Sequence, residues 1–395
     1  MYVTRSLSHY KSSPGDLSLP PEGPNSGYLV IYDDEPIETS CFGFCRNQLF
    51  LAELPFPQNK TLTTEYASTG SENLVVSMNE AVFIPVLNQP LSSNRYYVIS
   101  QRGSHKGEAF ACSKEEDIGT HCFGSVHDVK SRPLCPHDEY QQFEIVFHKT
   151  FDDGEGGFYA KSLADDGYPP VFLRTKVWKI YAKTPNNFKL SEANGINVSL
   201  RSHLPDLNFP LSTKVSDSVV VGKWYCPFVF IKEGKLTDQV KKSIFYEMTL
   251  EQNWNQFFVK ENEHNNEGNV VSVQADVHSE AVFIGKGQKE AIWDERNVVD
   301  GAIWFTRQES ENESVGLRLE IIERMKWEEE KVGWFGVEGK KIQNVKREEN
   351  YEGIGAWKKF GCYVLVERFV LKRMDGSLVL TYEFSHTHQV KSIFE

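Results

Sequence analysis

The 395-residue chain lacks several features that would assign it to a function class at once. It has no run of 18 or more apolar residues, so the sequence predicts no membrane-spanning helix. Its first fifteen residues lack the apolar block of a secretory signal, and it contains no G-x-S-x-G, G-x-G-x-x-G or phosphate-binding loop motif. We therefore expect no membrane span, no secretion signal and no cofactor.

Positive charge is scarce as well. The chain has 43 basic and 55 acidic residues, which gives a formal net charge of −12. Such a surface repels phosphate, so we predict neither nucleic acid nor a membrane as a partner. The first fifteen residues are basic, rich in serine and free of acid, a composition that also occurs in organelle transit peptides. We predict a cytoplasmic protein, with organelle targeting as the alternative.

The cysteines follow no framework pattern, because there are seven of them at irregular spacing. Five cysteine and histidine residues lie within seventeen positions of one another: His121, Cys122, His127, Cys135 and His137. Cys41 and Cys45 lie upstream and form the one short pair, whereas zinc fingers need two. We interpret these residues as reduced thiols and ordinary histidines rather than as zinc ligands.

Aromatic residues are plentiful, with 26 Phe, 16 Tyr and 8 Trp. Together with β-branched residues they favour pleated strands, so the sequence predicts a mainly β fold, a β-rich α+β protein. Leu74–Val86 is one predicted strand, with a break near Asn79. The most secure hairpin joins Cys362–Arg373 to Leu378–Phe384, because Asp375-Gly376 supplies the positive φ of a tight turn.

Thr237–Phe258 has the periodicity of a helix, because Val240, Ile244 and Met248 recur at every fourth position. The sequence therefore predicts the one main helix near residues 237–258. Val315–Trp327 alternates between apolar and polar residues, which predicts a strand.

The pentapeptide Glu-Ala-Val-Phe-Ile occurs twice, at residues 80–84 and 280–284, and the predicted strands follow the same order in both halves. We interpret this as an internal duplication that gives two similar β-sandwich-like domains, residues 1–185 and 215–395, joined by a linker over 186–214. Four residues are expected in the core on one face of the repeated strand: Val82, Ile84, Val282 and Ile284. Phe83 and Phe283 are then expected on the other face.

Five segments resemble one plant-specific family: Met1–Ser8, Pro20–Ile31, Pro136–Ile145, Val221–Tyr225 and Tyr363–Phe384. It is domain-of-unknown-function family 1262, and some of its members carry the label "insecticidal crystal toxin domain". The resemblance covers nearly the whole chain and implies a plant protein. It supplies no catalytic residues, and the sequence shows no amphipathic pore-forming stretch.

The last predicted strand ends in Glu383, His386 and His388. Two histidines two residues apart point to the same face of a strand, where they can share a metal ion with a third ligand. A polar strand end without a metal is the alternative and the interpretation that we adopt.

Two other groups resemble sites. Asp152, Asp153 and Glu155 could ligate calcium, but they lack the ligand spacing of an EF-hand and indicate a hairpin turn. Ser125, His127 and Asp128 are the residue types of a hydrolase triad, but they lie too close in sequence to serve one another.

With no complete catalytic constellation, the sequence favours a non-enzymatic binding or interaction protein, whose partner is an unknown protein or small molecule. The alternative is an enzyme, metal-dependent in one version, with a site at Glu383, His386 and His388. A stress- or defence-associated role in plants is a hypothesis drawn from analogy of fold and lineage.

Overall fold

A computed structural model of the chain describes residues 1–33, 49–69, 74–114, 116, 127–149, 156–263, 268–285, 287, 289–307, 310–336 and 341–395. The chain divides into two compact units. The N-terminal unit comprises residues 1–193 and 225–245, and the C-terminal unit comprises 194–224 and 246–395. Each unit is therefore built from two separate segments of the chain, and the predicted linker 186–214 is shared between them.

The fold is mainly β, as predicted, with 47% strand and 14% helix. The strands are, in chain order, β1 Tyr2–Ser6, β2 Gly27–Ile31, β3 Leu49–Leu51, β4 Thr61–Thr69, β5 Leu74–Pro85, β6 Arg95–Ser100, β7 Phe143–His148, β8 Gly157–Ser162, β9 Lys179–Lys183, β10 Gly195–Ile196, β11 Val219–Pro227, β12 Ile231–Lys232, β13 Phe245–Glu261, β14 Val270–His278, β15 Glu280–Ile284, β16 Lys289–Ile292, β17 Val298–Val299, β18 Ala302–Arg307, β19 Ser310–Arg318, β20 Ile342–Asn350, β21 Lys359–Arg373 and β22 Leu378–Phe394. The α-helices are α1 Leu7–Ser12, α2 Val171–Arg174, α3 Val198–Ser202, α4 Leu236–Lys242 and α5 Leu319–Glu330. Short 3-10 helices lie at Pro14–Leu17, Leu91–Ser93, Glu139–Gln141 and Phe228–Phe230. No helix among the described residues is long and apolar enough to cross a membrane.

The N-terminal unit contains an antiparallel sheet in the order β3-β9-β4-β5-β6-β7-β8. Aromatic side chains fill its core. The Phe56 ring lies 5.0 Å from Phe158 and 5.3 Å from Phe83, in edge-to-face contacts, and it also packs on Tyr96 and Trp178. All five side chains are buried. These aromatic side chains stabilise the core, because each ring that is buried removes a large apolar area from water.

The C-terminal unit contains the order β19-β18-β16-β15-β22-β21-β13, together with a separate ribbon of β14 and β20. The predicted hairpin of β21 and β22 is confirmed. Gly376 has a φ of +80°, and the Asp375 carboxylate accepts a 2.9 Å hydrogen bond from the Ser377 amide. A positive φ is costly for residues other than glycine, so the Asp-Gly pair fixes the turn and the register of both long strands.

The prediction of a main helix over 237–258 is wrong. Helix α4 stops at Lys242, and β13 begins three residues later. β13 is paired with β21 along most of its length and is buried on both faces over Phe245–Trp254 except at two glutamates. A strand buried on both faces shows no period of two, so the recurrence of Val240, Ile244 and Met248 was a coincidence that crosses two elements.

The prediction of a strand over Val315–Trp327 is wrong in its second half. β19 ends at Arg318, and α5 begins at the next residue. The buried side of α5 includes Ile321 and Met325 but also Glu328 and Glu329, so acidic residues occupy positions where an apolar stripe is expected. The predicted break near Asn79 is also absent, because β5 is continuous.

The two copies of the pentapeptide are buried differently, which corrects the expectation that they are equivalent, although Ile84, Val282 and Ile284 are buried as predicted. In β5 the alternating residues Ala81 and Phe83 are buried while Val82 is half-buried; in β15 Val282 is fully buried and Phe283 is half-buried. β5 lies between β4 and β6, whereas β15 lies between β22 and β16. Because strand side chains alternate, the neighbouring layers rather than the five residues decide which face is buried.

Candidate functional site

His386 and His388 lie inside β22, which continues beyond both of them. The pairing of β22 with β21 slips at this point, since His386 is opposite Leu365 while Val390 is opposite Val364. Residues 387–389 therefore have no partner on β21. The two imidazole rings lie 5.5 Å apart, with His386 buried and His388 exposed.

Glu383 does not join the histidines. Its carboxylate lies 3.5 Å from Nε of Arg368. Burial raises the pKa of Glu383, and the charge of Arg368 opposes that shift. Residues 383 and 386 are separated by an odd number of positions in an extended strand, which directs their side chains to opposite faces.

The structure instead brings His386 to two carboxylates that the sequence analysis missed. Its Nε2 lies 2.9 Å from Oε2 of Glu329 on α5 and 3.5 Å from Oε2 of Glu367 on β21. One ligand atom from each of these three residues lies within 4.8 Å of the others, and all three residues are buried. By spacing alone this group could hold a metal ion.

Arg201 of α3 occupies the same space. Its Nε donates to Glu367 at 2.9 Å, its Nη2 donates to Glu329 at 3.2 Å, and its Nη1 donates to the Glu328 carbonyl at 3.1 Å. The Gln252 amide donates to Glu367 at 2.6 Å. A guanidinium in contact with both carboxylates takes their lone pairs and repels a dication, so the donor set fits an ion-pair network and not a metal site. We call these residues (Arg201, Gln252, Glu328, Glu329, Glu367 and His386) the buried network.

The buried network shifts the proton equilibria of its members in opposite directions. Burial would raise the pKa of Glu367, but hydrogen bonds from His386 and Arg201 hold it far below its usual range. Burial and the charge of Glu367 raise the pKa of Glu329 to about 8. Burial would lower the pKa of His386, but its bonds to both carboxylates raise it to about 9. The network therefore favours a charged Glu367 and a charged His386, and their ion pairs hold α3, α5, β21 and β22 together.

A signal for the buried network was present in the sequence. Glu367 lies in the middle of the apolar run Tyr363–Leu371, and a charged residue inside a buried strand needs a partner. Arg201 is 166 positions away in the sequence, so nothing local identified that partner.

The other predicted groups have structural roles or lie outside the described residues. The amide of Val171 donates 3.0 Å hydrogen bonds to both carboxylate oxygens of Asp128, which caps α2 rather than serving a triad. Cys112 and Cys226 are buried free thiols, and burial raises the pKa of each to about 11. Cys135 is free and exposed. The remaining candidates lie outside the described residues: Cys41, Cys45, His121, Cys122, Ser125, Asp152, Asp153 and Glu155.

A cleft of about 460 Å³ lies in the N-terminal unit, between the turn that joins β5 to β6 and the segment before β7. It is lined by Val86, Leu87, Asn88, Gln89, Arg95, Tyr97, Pro136, His137, Glu139, Gln142 and Leu163. Among the predicted site residues, His137 is the one that lines it, in an exposed position. We call its apolar and aromatic residues (Val86, Leu87, Tyr97, Pro136 and Leu163) the floor and its other residues the rim. Most of the floor is buried, and the rim residues are half-buried or exposed.

Backbone and side-chain bonds hold the walls of the cleft in place. The Pro136 carbonyl accepts hydrogen bonds from the Tyr97 hydroxyl at 3.0 Å and from the Gln142 amide at 2.9 Å. Across the cleft, the Asn88 amide donates to the Ser26 carbonyl at 2.7 Å. Because both walls are tied to neighbouring elements, the cleft is formed before any ligand binds.

A family model described as "Protein of unknown function (DUF1262)" matches residues 22–123. The chain is similar to that family over this segment. The matched segment contains β2–β6 and one wall of the cleft. No curated protein matches the chain. Among solved structures, the "Crystal structure of Cry35Ab1" is similar, with a TM-score of 0.47 and 11% sequence identity over 86% of this chain and 90% of that chain. That degree of likeness assigns no activity.

Proposed function

We propose that the protein is a non-enzymatic binding protein and that the cleft of the N-terminal unit receives a small organic molecule. The observation that carries the proposal is the cleft itself, about 460 Å³ in volume and lined by both apolar and polar groups. Small-molecule sites are clefts of roughly 300–1,000 Å³ in which a few polar groups converge on an apolar surface.

The floor and the rim have different roles in this proposal. Val86, Leu87 and Pro136 are buried and offer apolar contact, which contributes affinity. Gln89 and Gln142 are half-buried and offer hydrogen bonds, which fix the orientation of a ligand.

The alternative, a metal-dependent enzyme at the C-terminal histidines, has less support. A catalytic metal needs three protein ligands and an open position for water or substrate. The position between Glu329, Glu367 and His386 is already contacted by Arg201, and the exposed fraction of His386 is 1%. The buried network is therefore better suited to stabilising the C-terminal unit than to turnover.

The proposal is tested by a screen and a matched pair of variants. A chemically diverse library is screened by the shift in thermal unfolding, and the dissociation constants of the hits are measured by calorimetry. Leu163→Trp places an indole in the cleft, while Val171→Trp places the same side chain on α2, away from the cleft. We expect Leu163→Trp to weaken binding at least about tenfold and Val171→Trp to leave it unchanged.

Two results would overturn the proposal. If Leu163→Trp binds the hits as tightly as the unmodified protein, the site lies elsewhere. If a hit is converted to a product by the protein, the protein is an enzyme.

A further inference from the structure

We propose that the ligand of the cleft is a small organic carboxylate with an apolar body, and that Arg95 pairs with its carboxylate. This inference rests on the proposed function and names the ligand class of the same site. The observation that carries it is an arginine with no hydrogen bond or ion pair among the described residues, beside the apolar floor of the cleft.

Arg95 is the first residue of β6, and its Cα lies opposite that of Glu144 on β7. Residues opposite one another on antiparallel strands are close enough to form an ion pair. Within the described part of the chain, however, the Arg95 guanidinium has no hydrogen bond or ion pair. Glu144 instead faces Lys161, with 4.0 Å between Nζ and Oε1. Arg95 lines the cleft and is half-buried, so its donors are available to a ligand.

The backbone holds Arg95 in place, because its carbonyl accepts a 3.0 Å hydrogen bond from the Val86 amide across the turn. A guanidinium presents a planar fork of donors that matches the two oxygens of a carboxylate, and partial burial strengthens that bond. An arginine whose backbone is held, and whose guanidinium has no partner among the described residues, is therefore suited to binding a carboxylate.

The remaining charges of the cleft favour a carboxylate over a phosphate. Apart from Arg95, no lysine or arginine is among the described residues that line the cleft, and Glu139 adds a negative charge. A phosphate dianion needs at least a second donor cation to offset its charge. Glu139 is exposed, so water screens its repulsion of a single negative charge at Arg95.

The floor of the cleft selects the body of the ligand. Val86, Leu87 and Leu163 offer aliphatic contacts, and Tyr97 is buried with its hydroxyl already bonded to Pro136. A polar body, such as a second charged group, would find few unused partners on that surface. An aryl or short alkyl group is the complementary body.

The experiment compares molecules that differ only in charge. Benzoate, phenylacetate and hexanoate are titrated into the full chain beside benzamide, phenylacetamide and hexanamide, and phenyl phosphate is included as a dianion. Binding is followed by calorimetry and by amide chemical shifts. We expect at least one carboxylate to bind at least about tenfold more tightly than its amide, because the charged pair to Arg95 is absent with the amide.

Two variants locate the effect. Arg95→Gln should remove the preference for carboxylate over amide, while Glu139→Gln, which removes the opposing charge at the rim, should tighten carboxylate binding about twofold. The thermal unfolding of both variants is measured first, so that a loss of fold is not read as a loss of binding. If Arg95→Gln unfolds, Arg95→Lys tests the same point, since it keeps the charge and loses the fork.

The outcomes are distinguishable. Equal binding of acids and amides would overturn the carboxylate inference and leave the cleft as a binding site. Tighter binding of phenyl phosphate would overturn it in favour of a phosphate ligand. If no member of the panel binds while library hits are still blocked by Leu163→Trp, the inference fails alone; if those hits are also absent, the proposed function fails with it.

Discussion

The two units bury different kinds of polar group. In the described part of the N-terminal unit the buried polar residues are all neutral: Thr4, Asn25, Ser26, Gln58, Thr64, Ser100, Ser113, Gln141, Gln239 and Ser243. In the described part of the C-terminal unit the buried residues include nine ionisable ones: Arg201, Glu280, Arg318, Glu320, Arg324, Glu328, Glu329, Glu367 and His386. The same chain thus stabilises its two interiors by different chemistry.

The difference matters because a neutral group and a charged group have different requirements when they are buried. An amide needs hydrogen bonds, whereas an ion also needs a counter-ion, since the cost of leaving it unpaired is several kcal/mol. The charged residues of the C-terminal unit meet that requirement in pairs, such as Arg318 with Glu320 at 3.1 Å and Arg324 with Glu328 at 2.5 Å. The C-terminal unit should therefore depend on pairing and on pH, and the N-terminal unit should depend on packing.

The two copies of the pentapeptide show the contrast at a single residue type. Glu80 is at the surface and forms a two-pronged ion pair with Arg102, in which Nε donates to Oε2 at 2.7 Å. Glu280 is buried, accepts a 2.5 Å bond from the Tyr382 hydroxyl and lies 3.7 Å from the Lys326 ammonium. Burial raises the pKa of Glu280. An identical sequence is therefore a surface pair in one unit and a buried contact in the other.

The largest expected effect comes from removing the arginine of the buried network. Arg201→Met leaves the carboxylates of Glu367 and Glu329 buried without their cation, so the free energy of unfolding should fall by about 3–5 kcal/mol.

The matched change in the N-terminal unit is Gln141→Leu. It removes three hydrogen bonds of the Gln141 side chain: one accepted from the Cys135 amide at 2.7 Å, and two donated to the carbonyls of Pro133 at 3.2 Å and Arg132 at 3.4 Å. The cost should be about 1–3 kcal/mol. Both are measured by denaturant unfolding.

A double variant makes that comparison sharper. Arg201→Met combined with Glu367→Leu removes both partners of the closest pair, so its cost should be well below the sum of the two single costs. Additive costs would show that the two residues act independently. A larger loss for Gln141→Leu than for Arg201→Met would reverse the contrast between the units.

The next effect tests the different burial of the pentapeptide in β5 and β15. Phe83→Ala removes a ring that contacts Phe56 at 5.3 Å and should cost about 3–5 kcal/mol. Phe283→Ala removes a half-buried ring and should cost about 1 kcal/mol. The valines should show the reverse order, since Val282 is fully buried and Val82 is not. Equal losses in the two copies, measured by the same denaturant unfolding, would mean that both strands bury the same face.

Elements determined by residues close together in the sequence could be predicted, whereas elements determined by distant contacts could not. The hairpin at Asp375-Gly376 and the strand β2 were predictable, because turn chemistry and a local run of strand-forming residues determine them. β13 was not predictable, because its side chains are buried on both faces and show no period of two. α5 was not predictable either, because Glu328 and Glu329 occupy its buried side. Local periodicity reports burial only when one face is exposed.

The candidate sites follow the same rule. The buried network joins residues whose partners are 19 to 166 positions apart, so the sequence contained the charged Glu367 but not its contacts. The sequence likewise did not identify Arg95 as a ligand-binding residue. Its guanidinium is available to a ligand because Glu144 faces Lys161 instead. The proximity of His386 and His388 needs only strand alternation, and their rings lie 5.5 Å apart.

The last expected effect is a pH dependence that should belong to the C-terminal unit. The pKa of His386 is raised from 6.5 to about 9, so its contribution to stability is complete below pH 6.5 and is lost as the pH rises through 9. The raised pKa of Glu329, about 8, acts in the same direction, because the folded protein keeps that proton to higher pH than the unfolded chain does. Glu367 acts in the opposite direction, but its contribution is lost only in strong acid.

Between pH 6.5 and 9 the free energy of unfolding should therefore fall by about 3–5 kcal/mol, as followed by tryptophan fluorescence in denaturant. The window ends at pH 9 because the buried thiols Cys112 and Cys226, whose raised pKa values are about 11, affect stability only above it. His386→Gln should flatten the profile, whereas His137→Gln, at an exposed position in the N-terminal unit, should leave it unchanged. An equally steep profile in His386→Gln would assign the dependence to groups outside the buried network, and the two units would then differ in packing alone.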